Sequence, residues 1–401
     1  MIIMYIKLNI KIINGGPRIM NGQNLKRRKE LDKVLDFLEQ NRLFSGVVLL
    51  AEEGKTFYKR TIGKRTNSSQ HSIDAVFDIA SISKSFTAMA IMILIEEKKL
   101  QLDDNLKKFF PFLSYENITI KNLLNHTSGL LDYMDWFEDP GNWDPNRIAT
   151  NKDVVKFLKD EKPEVLFHAN EKWEYCNTGY VLLAEIIEMV SKMGYGEFLQ
   201  KRIFTPLNMF NTSTHSQFLD SEIENFSLGF IYDWEQDLYR LPSEMEEHKY
   251  VYFLDGVKGD GGIKSTVDDL LKWERAIYNN ELVSEQTKES IIDPVFIKGE
   301  ATNGYCPCLH EDFGGYGLGW KIENHPQYKK IILHDGYWAG YYSVLISYKD
   351  RNKAIIMLNN LDFTDNELNK IPYLLTLTLE KILFGEKAGV QVFEQLIMSN
   401  C

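Results

Sequence analysis

The sequence contains few cysteines and no long apolar run, and each shortage argues against a class of protein. Its four cysteines are too few and too irregularly spaced for a disulfide framework. Its longest uncharged apolar run is about half of what a membrane-spanning helix needs, so no membrane span is predicted. It also lacks a Gly-x-Ser-x-Gly motif, which argues against a conventional Ser-His-Asp hydrolase.

Basic residues are fewer than acidic ones, since the net charge is −11, and they form no continuous basic stripe. Such a protein binds nucleic acid poorly and is repelled by anionic membranes. Cys306, Cys308 and His310 stand close enough to form half of a metal site, but no second ligand pair lies elsewhere at zinc-like spacing. A loop stiffened by Pro307 is the favoured interpretation, so neither a metal nor another cofactor is predicted.

The N-terminal segment lacks the features of an export signal. Lys7 and Lys11 interrupt its apolar runs, and no small-residue cleavage site follows them. Residues 6–12 alternate apolar and polar side chains as a strand does, so the segment is either an added strand or a disordered extension. A cytoplasmic location is therefore expected.

Strand patterns occur towards both ends of the chain. Residues 24–42 have the apolar spacing of an amphipathic helix, and residues 45–63 form two strand-like runs joined by a hairpin at Glu53-Gly54. Short strand patterns separated by turn signals return at residues 316–360 and predict an antiparallel sheet. The intervening part of the chain is mainly typical of helices and long loops.

These patterns predict an α+β fold whose antiparallel sheet is built from both ends of the chain and flanked by helices. The predicted sheet domain is discontinuous and covers residues 24–100 and 245–385. Residues 101–244 would form a mostly helical second domain, residues 1–23 an N-terminal extension and residues 386–401 a C-terminal tail. A cleft between the two domains is a natural place for a site.

Ser81 and Lys84 form the only Ser-x-x-Lys motif of the chain, at the start of its most apolar helix. Residues 86–95 contain no charged side chain, so this helix is expected to be buried. Burial and the positive end of the helix dipole both favour a neutral amine. Because positions i and i+3 share a helix face, Lys84 can then accept the proton of a nucleophilic Ser81. A lysine whose ammonium group reaches solvent is the alternative.

A tyrosine that shares the proton transfer has three candidates, because Tyr-x-Asn occurs three times. Tyr115-Glu116-Asn117 lies in a linker, and Tyr278-Asn279-Asn280 ends a helix, where asparagine is a common cap. Tyr175-Cys176-Asn177 immediately precedes an apolar helix in the middle of the helical region, which makes it the favoured candidate. An ordinary turn is the alternative for this segment.

His334-Asp335-Gly336 is the only His-x-Gly motif and stands at the end of a strand pattern. A glycine there would let a substrate approach the strand edge closely. The histidine can donate a hydrogen bond or carry charge near neutral pH, with a purely structural role as the alternative. Lys192-Met193-Gly194 offers a Lys-x-Gly motif instead, but it is typical of a helix end capped by glycine.

The ordered set Ser-x-x-Lys, Tyr-x-Asn and His-x-Gly resembles that of the serine β-lactamase and penicillin-binding-protein family, which includes the D,D-peptidases. The class C β-lactamases, the D-peptidases and their esterase relatives are the most similar branch. Connecting segments such as TIKNLLNHTSGL and GDGGIKSTVDDLLKW also resemble the family, over roughly residues 27–360. The resemblance implies an α/β domain with an antiparallel sheet beside an all-helical domain.

The same resemblance implies roles for the motif residues. Ser81 would be the acylated nucleophile, Lys84 its proton acceptor, and Tyr175 a general base and then a general acid. The oxyanion hole would consist of the backbone N–H groups of Ser81 and Tyr337. The substrate would be a small molecule or short peptide, bound by Asn177, His334, Gly336 and Tyr337.

One departure from the family pattern bears on the substrate. The third motif usually opens with lysine and continues Thr-Gly, whereas here it is His334-Asp335-Gly336. A histidine holds a substrate carboxylate for only part of the time, and Asp335 would repel one if it faced the cleft. An esterase, amidase or D-amino-acid peptidase or carboxypeptidase is therefore expected rather than an efficient β-lactamase. The alternative is a penicillin-binding sensor that is acylated but turns over slowly or not at all.

Overall fold

A computed structural model describes residues 22–66, 68–220, 222–233, 235–295, 314–364 and 367–400. The strand pattern at residues 6–12 and the loop with Cys306, Cys308 and His310 lie outside these ranges. Within them, no helix is long and apolar enough to cross a membrane.

Strands lie mainly towards the two ends of the described chain, as the sequence predicts. They are β1 (Gly46–Glu52), β2 (Lys55–Ile62), β3 (Lys64–Thr66), β4 (Ser69–Gln70), β5 (Phe77–Asp78), β6 (Phe230–Asp233), β7 (Leu238–Arg240), β8 (Lys264–Ser265), β9 (Gly314–Tyr316), β10 (Lys321–His325), β11 (Lys329–Trp338), β12 (Tyr341–Tyr348), β13 (Lys353–Asn359) and β14 (Leu361–Phe363).

Helices occupy much of the middle of the chain and both of its described ends. They are α1 (Gly22–Gln40), α2 (Ser83–Glu96), α3 (Ile120–Leu124), α4 (Tyr133–Glu138), α5 (Asn151–Asp160), α6 (Asn177–Ser191), α7 (Tyr195–Leu199), α8 (Tyr250–Phe253), α9 (Val267–Asn279), α10 (Glu285–Ile291), α11 (Ile371–Leu383) and α12 (Gln391–Asn400).

Among the residues that the structure describes, the main sheet has seven strands in the order β2-β1-β13-β12-β11-β10-β9, and every neighbouring pair is antiparallel. The β1–β2 hairpin turns at Glu53-Gly54, where both residues have positive φ. In the described part of the chain β1 therefore pairs with β13 from the opposite end, and the predicted antiparallel sheet is confirmed.

Side chains of the central strands alternate between two hydrophobic cores, as the two-residue repeat of a strand requires. Leu49 and Ile356 pack in a core that includes residues of α2 and α6. Val48 and Leu50 pack on the opposite face, in a core that includes residues of α1 and α11. Helices thus cover both faces of the sheet, which is the expected α+β arrangement.

Strands also occur inside the segment assigned to the helical domain. In a small separate sheet, β6 pairs with β7 and runs parallel to β14 from the other end of the chain. Near the C-terminus, α12 buries Phe393 in the core that contains α1 and α11. The division into a discontinuous sheet domain, a helical domain and a C-terminal tail stays a prediction.

Candidate active site

Ser81 lies in a one-turn 3₁₀ helix, Ala80–Ile82, that leads directly into α2. The preceding residue, Ala80, has a left-handed φ of +45°, a conformation that costs a non-glycine residue about 1–3 kcal/mol. Asp78 supports this turn, because its Oδ1 accepts the Ala80 N–H at 2.8 Å. The nucleophile candidate is therefore presented on a strained turn that a buried carboxylate holds in place.

Lys84 is completely buried, and its ammonium group donates three hydrogen bonds. The acceptors are Ser81 Oγ at 3.0 Å, Asn177 Oδ1 at 2.7 Å and the carbonyl oxygen of Asp260 at 2.8 Å. Burial lowers the pKa of Lys84 from 10.5 to about 8, although the charges of Asp260 and Asp132 oppose this shift. With this pKa about a tenth of the molecules have a neutral Lys84 at pH 7 that can accept the Ser81 proton. Because Lys84 is completely buried, the alternative of an ammonium group that reaches solvent is wrong.

The ring of Tyr175 lies over the ammonium group of Lys84, whose Nζ is 4.8 Å from the ring centre. Burial raises the pKa of the Tyr175 hydroxyl well above 10, while a hydrogen bond with Ser81 acts in the opposite direction. Tyr175 is therefore a neutral phenol around neutral pH. In this state it is suited to donating a proton, and Lys84 is the better candidate for the first proton acceptor.

Asn177 begins α6 and is held by Asp132, a residue that the sequence did not single out. Asp132 Oδ2 accepts both the backbone N–H of Asn177 at 2.8 Å and its side-chain Nδ2–H at 2.9 Å. These bonds turn the Asn177 oxygen towards Lys84. Burial raises the pKa of Asp132 to about 6, so the carboxylate is ionised at neutral pH.

His126 is a second residue that the sequence motifs did not identify, although it lies in the family-like segment TIKNLLNHTSGL. Its ring is 4.3 Å from that of Tyr175, and its Nδ1 accepts the backbone N–H of Cys176 at 3.1 Å. Its carbonyl oxygen also accepts the N–H of Glu174 at 3.0 Å. His126 is buried and has a left-handed φ of +61°, so a constrained turn fixes the loop that carries Tyr175.

His334 belongs to β11 but is only 1% exposed. Its Nε2 is 3.0 Å from the Tyr316 hydroxyl and its Nδ1 is 2.6 Å from the Asp335 carbonyl oxygen. Burial, reinforced by the charge of Lys321, lowers the pKa of His334 to about 3. Of the two roles that the sequence allowed, His334 can therefore form hydrogen bonds but does not carry charge near neutral pH.

Gly336 lies where β11 passes the Ser81 turn. A methyl group at Gly336 would lie 2.4 Å from the carbonyl oxygen of Ile79 and 2.8 Å from the backbone nitrogen of Ser81. The backbone of the Ser81 turn therefore already approaches this position closely enough to require a glycine. Because β10 pairs with β11 only as far as Leu333, the following residues of β11 border the Ser81 turn on that edge, while their other edge still pairs with β12.

A cavity of about 350 Å³ opens beside Ser81 and brings the predicted residues together. Its lining includes Ser81, Tyr175, Asn177, His334 and Tyr337. Lys84 lies beneath this surface, and Gly336 packs behind the turn. Across the described ranges, no group of three or more His, Cys, Asp or Glu side chains could hold a metal ion. The arrangement can support proton transfer from a serine to a lysine and attack on a bound carbonyl group.

Comparisons with known proteins agree with this geometry. A model of the family described as Beta-lactamase matches residues 31–380. Penicillin-binding protein 4* of Bacillus subtilis (strain 168) is 38% identical over 367 residues, which are 91% of this chain and 78% of that protein.

Solved structures agree in fold. The octameric penicillin-binding protein homologue from Pyrococcus abyssi matches with a TM-score of 0.69 and 26% identity, over 87% of this chain and 77% of that one. A D-amino acid amidase from Ochrobactrum anthropi SV3, in complex with L-phenylalanine amide, matches with a TM-score of 0.70 and 22% identity, over 91% of this chain and 98% of that one.

Proposed function

The chain belongs to the β-lactamase family, and from this premise we propose that Ser81, Lys84 and Tyr175 are the catalytic residues of a serine hydrolase that forms an acyl-enzyme. The observation that carries the proposal is the 3.0 Å hydrogen bond between Ser81 Oγ and the buried Lys84 Nζ. A lysine with a pKa of about 8 can lose its proton near neutral pH and then accept the serine proton.

Acylation begins when Ser81 Oγ attacks the substrate carbonyl carbon and its proton moves to neutral Lys84. The backbone N–H groups of Ser81 and Tyr337 stabilise the negative charge that develops on the carbonyl oxygen. Tyr175 donates its proton to the leaving amine or alkoxide and regains one from Lys84. Water then attacks the acyl carbonyl carbon and gives one proton to neutral Lys84. Lys84 passes this proton to Ser81 Oγ as the bond between Oγ and the acyl carbon breaks, which releases the acid and restores Ser81.

The third motif favours amide or ester substrates other than β-lactams. His334 is neutral, and Lys321 forms an ion pair with Asp335, so neither supplies a free cation for a substrate carboxylate. An esterase, an amidase or a D-amino-acid peptidase or carboxypeptidase is consistent with this site. The D-amino acid amidase among the structural neighbours has the same fold and supports the inclusion of D-amino-acid amides.

Slow turnover is the second candidate function. The relative of 38% identity is a penicillin-binding protein, which favours a chain that is acylated by penicillin and releases the product slowly or not at all. Such a protein would act as a sensor, because its long-lived acyl-enzyme would signal the presence of a β-lactam instead of turning over a substrate.

Product release from p-nitrophenyl acetate, D-phenylalanine amide and a penicillin tests the two functions. For the hydrolase we expect continuous turnover of the ester or the amide, and a loss of about 1,000-fold or more in Ser81→Ala. Release that stops after one equivalent would favour the sensor. Hydrolysis that is equal in the parent and in Ser81→Ala would reject both.

A further inference from the structure

Acidic side chains outnumber basic ones on the wall of the cavity beside Ser81. Among the described residues, five carboxylates line it but only two lysines do, and the lining histidine, His334, is neutral. The carboxylates are Asp78, Glu138, Asp255, Asp260 and Asp335, and the lysines are Lys264 and Lys321.

Both lysines on this wall are already engaged by carboxylates. Lys264 Nζ is 3.1 Å from Asp78 Oδ2 and 3.7 Å from Asp255 Oδ1, and it is 1% exposed. Lys321 forms an ion pair with Asp335 and is also buried. A substrate carboxylate entering this cavity would therefore compete with carboxylates of the protein for each cation.

Glu138 differs from the other four carboxylates. Asp260 accepts a hydrogen bond from the Tyr133 hydroxyl at 2.9 Å, and the remaining three belong to the ion pairs above. Glu138 has neither an ion pair nor a hydrogen bond with any residue that the structure describes. It ends α4 and lines the mouth of the cavity, where it remains exposed.

The surroundings of Glu138 suit a cation. Met134, four residues earlier on the same helix, also lines the cavity, so this face of α4 is turned towards the substrate space. Tyr250 and Trp338 line the cavity as well, with ring centres 4.9 Å apart in an edge-to-face pair. Aromatic faces attract ammonium groups, and a carboxylate without an ion pair forms a strong hydrogen bond with a charged N–H donor.

We propose that Glu138 is a specificity-determining residue that binds a positively charged amino group of the substrate. The inference rests on the proposed function and adds a substrate class to it: amides or esters that carry an ammonium group, in preference to neutral or anionic ones. The binding step needs no covalent chemistry, because Glu138 only accepts N–H hydrogen bonds from the ammonium group.

Matched p-nitrophenyl esters test this preference. The 3-aminopropanoyl and butanoyl esters have nearly the same shape and differ in the terminal charge, and the 6-aminohexanoyl and heptanoyl esters repeat the comparison with a longer reach. For at least one pair we expect kcat/KM to be about 10- to 100-fold higher for the ammonium ester, the range of a charged hydrogen bond. Added salt should reduce the ratio because the cavity mouth is exposed.

Variants of α4 test whether the preference for ammonium esters depends on the Glu138 side chain. Glu138→Gln should bring the ratio of kcat/KM for the ammonium ester to kcat/KM for its neutral match close to one, and Glu138→Asp should retain part of the preference. Asp135→Asn removes an exposed acid from the same helix outside the cavity lining and should keep the full ratio.

The ester measurements distinguish a failure of the role of Glu138 from a failure of the proposed Ser81-dependent hydrolysis. Ser81-dependent hydrolysis without a preference for either ammonium ester, or a preference that survives in Glu138→Gln, would overturn the role of Glu138 alone. Absence of Ser81-dependent hydrolysis for all four esters would contradict the proposed function and, with it, the inference.

Discussion

The rate of Ser81 acylation should follow the titration of Lys84. Burial depresses the pKa of this lysine from 10.5 to about 8, which corresponds to about 3 kcal/mol in favour of the neutral amine. With that pKa, about a tenth of the molecules have a neutral Lys84 at pH 7 and about nine tenths at pH 9. We therefore expect acylation to become about tenfold faster between these pH values and then to level off.

Replacing Asp260 tests the electrostatic origin of this behaviour. The Asp260 charge is the largest influence that raises the pKa of Lys84, so Asp260→Asn should move the midpoint of the profile to lower pH, by about 1 unit. The backbone carbonyl that accepts the Lys84 hydrogen bond remains in this variant. Tyr133→Phe removes a hydrogen bond to the same carboxyl group without removing the group, and should cause a smaller displacement.

Stopped-flow measurement of single-turnover acylation by p-nitrophenyl acetate, from pH 6 to pH 10 with enzyme in excess, would record these profiles. Ser81→Ala supplies the rate of hydrolysis that does not involve the site. A rate that rises tenfold per pH unit beyond pH 9 without levelling off would show that Lys84 titrates as an ordinary lysine. A midpoint that moves to higher pH in Asp260→Asn would refute the electrostatic reasoning.

Three further predictions concern residues around the site and the sheet. His126→Phe loses the acceptor of the Cys176 N–H and should lower kcat about 10- to 100-fold with little change in KM. His126→Asn keeps an acceptor and tolerates the left-handed backbone, so it should lose less activity. Equal losses of kcat in the two variants, measured by steady-state kinetics, would contradict this. Gly336→Ala should destabilise the protein by about 1–3 kcal/mol, because its methyl group meets the Ser81 turn, and an unchanged melting temperature would refute this. Burial lowers the pKa of His71 to about 4 in the folded state, below the unfolded value of 6.5, so its contribution to stability is present above pH 6.5 and declines towards pH 4. Urea denaturation should find a smaller decline in His71→Gln, and equal declines would count against the assignment.

The main sheet was predictable because its strands have strong local patterns. The hairpin at Glu53-Gly54 and the apolar strands β11, β12 and β13 each show turn residues and runs that fit a strand. By contrast, β6 and β7 have four and three residues, and β6 pairs with β14 from the far end of the chain. Strands so short have too little local pattern to distinguish them from loops.

The sequence motifs pointed to residues that the structure brings together, but not to the residues that support them. Asp132 holds Asn177 from 45 positions away, and His126 holds Cys176 from 50 positions away. Asp260 reaches Lys84 across 176 positions through a backbone carbonyl, an atom that every residue possesses. The sequence also left open whether His334 carries charge, because its burial depends on how β11 packs and not on the motif itself.

The most direct test of the central claim is the intact mass of the protein after exposure to p-nitrophenyl acetate and, separately, to a penicillin. We predict an added mass equal to one acyl group from at least one reagent, mapped by peptide analysis to Ser81, absent in Ser81→Ala and formed more slowly in Lys84→Ala. An adduct that persists in Ser81→Ala, or the absence of any adduct under single-turnover conditions with either reagent, would contradict an acyl-enzyme on Ser81.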